Sequence, residues 1–451
     1  MRILVAALVL AGCGDDGGLA ELPDAPVFPD AAEAPDAAPT CAPITGGGTV
    51  HSSSVTAAET WTAADSPHVL PFDMSITATL TIEPCAVVRI GGGRIISVRA
   101  GGAIETHGLP GQPVRIERAD PATAWVNIRT LNGGTLAFTQ TVISGGGDPL
   151  NSPIVLAAAI DVAGTTPLTA PILHADGLVV EGSESQGILL HDGGGFSATS
   201  TNVRITGSAG APIHTFARHA GTIPPGDYTG NAVDEIVLRA TGGPEAIVES
   251  MTLHARGVPY HVGIQPNSTL DVAAAAGVPV LTIEPGVTLR FEPSATLRID
   301  PATGALPARG ALVAIGTPAA PIVFTSAAGT PAAGDWFGIR FGNIPNAATK
   351  LQHARVEFAG RASISGSESC LPVGQVGQND AAIRILGAEP VPVFITDTTI
   401  HASARHGIDR GFRSNTKPDF LATNTFTEVA GCKQTHPRDV SGVCPAVVPC
   451  P

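Results

Sequence analysis

The sequence predicts an all-β solenoid made of two tandem modules, on three observations. First, Leu80-Thr81-Ile82-Glu83-Pro84 recurs as Leu281-Thr282-Ile283-Glu284-Pro285, 201 residues later. Both copies then run through the same series: Pro113-Val114-Arg115-Ile116 answers to Pro321-Ile322-Val323-Phe324, and Trp125-Val126-Asn127-Ile128-Arg129 to Trp336-Phe337-Gly338-Ile339-Arg340. A duplication that survives small drifts in loop spacing is a structural unit. Second, each copy carries a finer period: Leu178 to Ser183 is echoed by Val203 to Ser208 after 25 residues, Gly187-Ile188 by Pro212-Ile213, and Thr399-Ile400-His401 by Thr425-Phe426-Thr427 after 26. Short β-branched runs separated by Gly, Ser, Asn and Asp at a period in the twenties describe coils of a solenoid. Third, the apolar runs are four to six residues long and often alternate, as in Val356-Glu357-Phe358, which is the strand period. Composition agrees: 53 Gly and 39 Pro supply turns, 43% hydrophobic residues supply a long core, and 4% aromatics suit a narrow aliphatic interior.

Taken in order, residues 1–12 read as an export signal. Met1-Arg2 is a minimal basic start and Ile3 to Ala11 an apolar stretch too short to span a bilayer. Leu10-Ala11-Gly12-Cys13 resembles the bacterial lipoprotein processing box, in which cleavage leaves the cysteine acylated, so Cys13 is the expected lipidation site and a membrane the expected first partner. Residues 13–44 read as a tether: Asp15, Asp16, Glu21, Asp24, Asp30, Glu33 and Asp36 stand among Pro and Ala with no Lys or Arg, half of the formal net charge of −14. Such a run cannot bury a core, and at ~3.1 Å per residue it would reach on the order of 80 Å. Gly14 is not the acidic residue that in some bacteria retains lipoproteins in the inner membrane, so the outer membrane or cell surface of a Gram-negative bacterium is the expected address.

The first module is expected over 45–235 and the second over 236–430, joined near Asn231 to Ile236, with His68-Val69 and His261-Val262 as matching lead-in strands. Residues 431–451 form an expected Cys-rich cap. With Cys13 assigned to lipid, Cys41, Cys85, Cys370, Cys432, Cys444 and Cys450 remain as disulfide candidates, an even number in an exported chain that allows 15 pairings. No C-x-x-C pair or neighbouring His has zinc-like spacing, so disulfides are favoured over metal. Cys370, Cys432, Cys444 and Cys450 place a staple at the C-terminal end, where an open solenoid would expose unpaired strand edges.

The phrases LTIEPGVTLRFEPSATLRI (281–299), APIVFTS (320–326), AAGDWFGIRF (332–341) and VFITDTTIHASARHGI (393–408) resemble the right-handed parallel β-helix repeat proteins of bacterial surfaces, over roughly residues 48–430 and most closely in the second copy. The resemblance implies the fold, a pectin-lyase-like parallel β-helix, and leaves activity open, because family members include pectate-lyase-like enzymes, adhesin-like surface proteins and many of no assigned role.

An enzyme of this type would cleave polysaccharide in a groove, with Asp clusters, a basic residue and, in lyases, Ca2+; only under that reading is a cofactor expected. The run Arg405-His406-Gly407-Ile408-Asp409-Arg410 partly resembles the His-Gly element of polygalacturonase-like enzymes, but Gly407-Ile408 stands where Gly187-Ile188 stands in the first copy, and paired adjacent aspartates are missing. Polar residues at coil turns explain it better. Trp125, Trp336, His406, Asp409 and Arg410 are retained as candidates for a ligand face, with core cover as the bland alternative for the two tryptophans. The pI near 5.3, no basic stripe and no phosphate loop argue against nucleic acid. The expectation is a non-catalytic surface protein binding glycan or protein; a polysaccharide lyase or glycoside hydrolase is the alternative, and a structural spacer of the envelope the third.

Overall fold

A computed structural model of the chain describes residues 40–450, apart from 153–155, 165–171, 243–244, 301–308, 343–345, 364–368, 371–379, 388, 391–392 and 445–449. The signal segment, Cys13 and nearly all of the acidic tether lie outside the described residues. From Thr40 onward the chain is one compact unit.

Short strands of two to six residues dominate because β-branched runs are cut at regular intervals by residues that turn the chain. Every ladder joining these strands is parallel, so the chain winds into stacked coils of an all-β solenoid. The periods seen in the sequence are the registers of these ladders: Val180 pairs with Ile205, Ile188 with Ile213, and Thr399 with Thr425.

One sheet of 13 strands runs from Met74–Ile76 to Thr425–Thr427 and crosses both copies without a break. At about 4.8 Å per strand it extends on the order of 60 Å. Ile236–Arg239, at the junction of the copies, pairs with Ile213–Phe216 on one side and Tyr260–Val262 on the other. An 11-stranded sheet covers the first copy, and two five-stranded sheets cover the second. In the 11-stranded sheet Thr135–Ser144 and Leu173–Glu181 each serve two faces. Their first halves extend the ladder of Ala103–His107 and their second halves that of Val114–Arg118, bent at Gln140 (φ 42) and Gly177 (φ 69).

The two copies do not continue the same faces. Ile95–Val98 and Asn127–Thr130 lie in the 13-stranded sheet, yet their second-copy equivalents, Thr296–Ile299 and Gly338–Phe341, lie in a five-stranded sheet. The long sheet instead takes Thr288–Phe291 and Ile322–Ser326, equivalents of first-copy strands in the 11-stranded sheet. The second copy therefore joins the stack displaced by one face. The lead-in strands also differ from expectation by one residue: Leu70 pairs with Ile90 and Val262 with Phe291, so Tyr260, not His261, occupies the place of His68. The strand period decides this, because a slip of one would put His261 in the core and Tyr260 outside.

The core is a continuous column of Ile, Leu, Val and Ala with Phe138, Phe291, Phe324 and Phe341 among them, and equivalent tryptophans are packed into it in each copy. Trp125 donates its indole N–H to the Ser144 carbonyl at 3.0 Å and Trp336 to the Glu357 carbonyl at 2.8 Å, the same bond in each copy. Trp336 also stacks on Phe291, ring centroids 4.1 Å apart. Cys85, where the second copy has Gly286, adopts the same left-handed turn (φ 65 against 82) and is bonded to Cys41. Cys370–Cys444 and Cys432–Cys450 close the other end, so all six cysteine candidates form disulfides.

Candidate functional site

The five residues singled out as a ligand face are all buried. Trp125 and Trp336 are 0% exposed and His406, Asp409 and Arg410 at most 3%. Both tryptophans cover the core. His406 accepts the Cys432 backbone N–H on Nδ1 at 2.8 Å, and burial, reinforced by Arg405, lowers its pKa to about 4. In the first copy Gln186 does the same task, its Oε1 accepting the Ala211 N–H at 2.7 Å. Asp409 accepts hydrogen bonds from Ser369 and Thr435, and burial pushes its carboxyl up despite nearby Arg384. Arg410 donates to the carbonyls of Thr435 and Pro418 and so ties the cap to the last coils. These contacts tie the groups into the coil stack, with Oδ2 of Asp409 left facing only Arg384 Nε at 3.5 Å; the corresponding tell-tale in the sequence is the equivalence of Gly407-Ile408 with Gly187-Ile188.

Outward-facing chemistry lies in register columns, where one side chain per coil stacks on the next. On the 13-stranded sheet one column runs Ser97, Arg129, Asp161, Leu189, His214, Val237, His261, Arg290, of which Ser97, Asp161, Leu189 and His214 are covered by neighbouring segments and buried. His191, next to it, contacts Asp161 through Nε2 at 2.7 Å and Asp192 through Nδ1 at 2.8 Å. Burial pulls its pKa down, but the bonds to Asp161 and then Asp192 outweigh this and leave it raised. His261 bridges Glu235 at 2.6 Å and Glu292 at 2.8 Å where the copies meet, and Arg290 also pairs with Glu235. His214 and His219 are buried away from any carboxylate bond, and burial, helped by Arg239 and Arg218 respectively, lowers each to about 4.

Two cavities matter. Where the displaced second copy meets the first, the 3-10 segment Ala217–Thr222 and the stretch 248–252 leave a cleft of about 400 Å³, lined by Arg218, His219, Val248, Glu249 and Met251. The other, of about 140 Å³, lies on a five-stranded face of the second copy beside Thr269, Thr296, Arg298, Arg340, Asp380 and Arg384. Here Asp271, Arg298, Arg340, Arg384 and Asp409 occupy successive coils of one column. Arg298 forks onto both oxygens of Asp271 at 2.6 Å, and Arg384 lies 3.3 Å from Asp380 and 3.5 Å from Asp409. Sequence reasoning missed this column, because its successive members are 25 to 44 residues apart and only the register aligns them.

Among the described residues no group of three or more His, Cys, Asp or Glu is placed to hold a metal ion, and no helix is long and apolar enough to cross a membrane. No family model, curated protein or solved structure matches this chain.

Proposed function

We propose that this is an exported bacterial lipoprotein, anchored through Cys13 at the outer membrane or cell surface, whose solenoid binds glycan or protein partners without catalysing their breakdown. The observation that carries the reading is the unbroken 13-stranded sheet, which stacks side chains at a fixed spacing of about 4.8 Å and brings Arg129, His261 and Arg290 of one column to its surface. A repeating rigid face suits an extended partner, since many weak contacts at matched spacing add without ordering a loop. The buried, bonded state of His406, Asp409 and Arg410 supports a non-catalytic role, because the residues closest to an enzyme-like pattern hold coils together.

The body from Thr40 onward retains every described core residue and all three disulfides, and is the form to test on a polysaccharide panel. Retention without cleavage is expected. New unsaturated or reducing ends would instead identify a lyase or hydrolase, and neither retention nor cleavage a spacer. For the anchor, Cys13→Ser in the full chain should abolish incorporation of labelled fatty acid; label retained by the variant would sink that part of the reading.

A further inference from the structure

We propose that the cleft where the two copies meet binds a short peptide that carries an apolar side chain and free charged ends. This site is separate from the outward sheet face that carries the reading above, and it stands or falls without it. Its origin is the displacement of the second copy by one face. Met251–Leu253 opens a five-stranded sheet and, among the described residues, has a strand beside it on one side only, Val280–Ile283. On its other side lies the 3-10 segment Ala217–Thr222, with Gly221 so near that a Cβ there would come 3.2 Å from both the Met251 Cβ and the Thr252 carbonyl oxygen. A 3-10 segment rises about 2.0 Å per residue against about 3.3 Å for a strand, so it does not cover the whole edge. A space of about 400 Å³ stays open between it and residues 248–252.

The walls carry the matching chemistry. Apolar surface outweighs polar in the cleft, and Val248, 49% exposed, stands there with the partly buried Met251. An exposed valine with a methionine, whose side chain adapts its shape, makes a seat for an apolar side chain. Arg218 comes from one wall and Glu249 from the other, so the cleft presents one charge of each sign. Arg218 is oriented by its Nε–H, given to His219 Nε2 at 3.1 Å, and by the Phe216 ring, whose centroid lies 5.7 Å from the guanidinium carbon. A zwitterion meets an opposite charge with each of its ends, whereas a simple anion or cation also meets a like one.

His219, which lines the cleft and is 0% exposed, has an unmet donor. Its Nε2 accepts the Gly193 N–H at 3.3 Å and the Arg218 Nε–H at 3.1 Å, so the ring proton sits on Nδ1, which is buried with no partner. Burial, and then the charge of Arg218, keep the ring neutral, with its pKa lowered to about 4. A peptide brings a carbonyl into the cleft, the acceptor that this N–H lacks, and further amides for the hydroxyls of Thr222 and Ser250. At about 400 Å³ the cleft is at the small end of the roughly 300–1,000 Å³ common for ligand sites, which suits two or three residues rather than a folded partner.

The test titrates the body from Thr40 onward in a calorimeter with the dipeptide Leu-Leu, its N-acetylated amide, Lys-Lys and Glu-Glu. Leu-Leu should bind, and the other three at least tenfold more weakly. Val248→Asp and Glu249→Gln should each weaken Leu-Leu at least tenfold with the melting temperature unchanged, because both side chains are exposed. Leu150→Ser, at a position 91% exposed and outside the cleft, should bind like the parent. No binding of Leu-Leu at millimolar concentration overturns the site, as does undiminished binding by Val248→Asp. Equal affinity for the capped dipeptide, or undiminished binding by Glu249→Gln, overturns the assignment of a zwitterion. Each of these failures is distinct from failure of the sheet-face reading, since Val248→Asp should behave like the parent on the polysaccharide panel.

Discussion

Replacing His406 by glutamine should make the solenoid more resistant to acid at little cost near neutrality. His406 accepts the Cys432 N–H on Nδ1, so the folded state holds the ring neutral with its proton on Nε2. Protonation would set an N–H against an N–H, and burial already opposes the charge, hence the fall from 6.5 to about 4. The sign follows: between those values the unfolded chain binds a proton that the folded chain refuses, so stability is lost as pH falls below about 6.5. The linkage relation gives a loss of about 2 kcal/mol at pH 5 and about 3 kcal/mol at pH 4 from this residue. Glutamine removes the titration and can keep the bond, as Gln186 does at the equivalent place. Denaturant unfolding of the body from Thr40 onward, followed by the fluorescence of the buried Trp61, Trp125 and Trp336, measures both proteins at pH 7.5 and 5.0. The variant should match the parent within about 1 kcal/mol at pH 7.5 and exceed it by about 2 kcal/mol at pH 5. Parallel losses in the two proteins would refute the reasoning, since the acid sensitivity would then belong to other groups such as His214 and His219.

Three more outcomes follow from particular contacts. Breaking the 44-residue Cys41–Cys85 loop as Cys41→Ala with Cys85→Gly should lower stability by up to about 4 kcal/mol on the chain-entropy relation, less a gain from glycine at a left-handed turn, as read by denaturant midpoints with the other two disulfides intact. Gly338→Ala should destabilise by more than about 1 kcal/mol, because φ is 107 and a Cβ would come 2.2 Å from the Ala382 carbonyl oxygen; an unchanged melting curve would contradict this. Asp161→Asn should lower the pKa of His191 in an NMR titration, since burial persists and only Asp192 still supports the imidazolium. Because that raised pKa gives stability that is full below about 6.5 and lost as pH rises through the folded value, the variant should lose more at pH 5.5 than at pH 9.

The sequence alone determined the duplication, the strand period, the coil length and the pairing potential of the cysteines. These are local facts: Leu80 to Pro84 and Leu281 to Pro285 repeat because the same turn recurs, and a 25-residue interval in the sequence becomes a ladder when the chain closes one coil. It also suggested that Gly407-Ile408 belongs to a coil rather than to an active centre, and the bond shared by Gln186 and His406 gives the atomic reason. Only the tertiary structure decided which coils share a face. Displacement of the second copy by one face carries Thr288–Phe291, not Thr296–Ile299, into the long sheet, and so puts Arg340 on a separate surface from Arg129. Neighbours in a parallel stack are set by how many residues each corner and loop absorbs, and loop drift hides that number from any fixed repeat. Arg298, Arg340 and Arg384 are remote along the chain and adjacent in space for this reason, and a charge column of that kind exists only once the register is fixed.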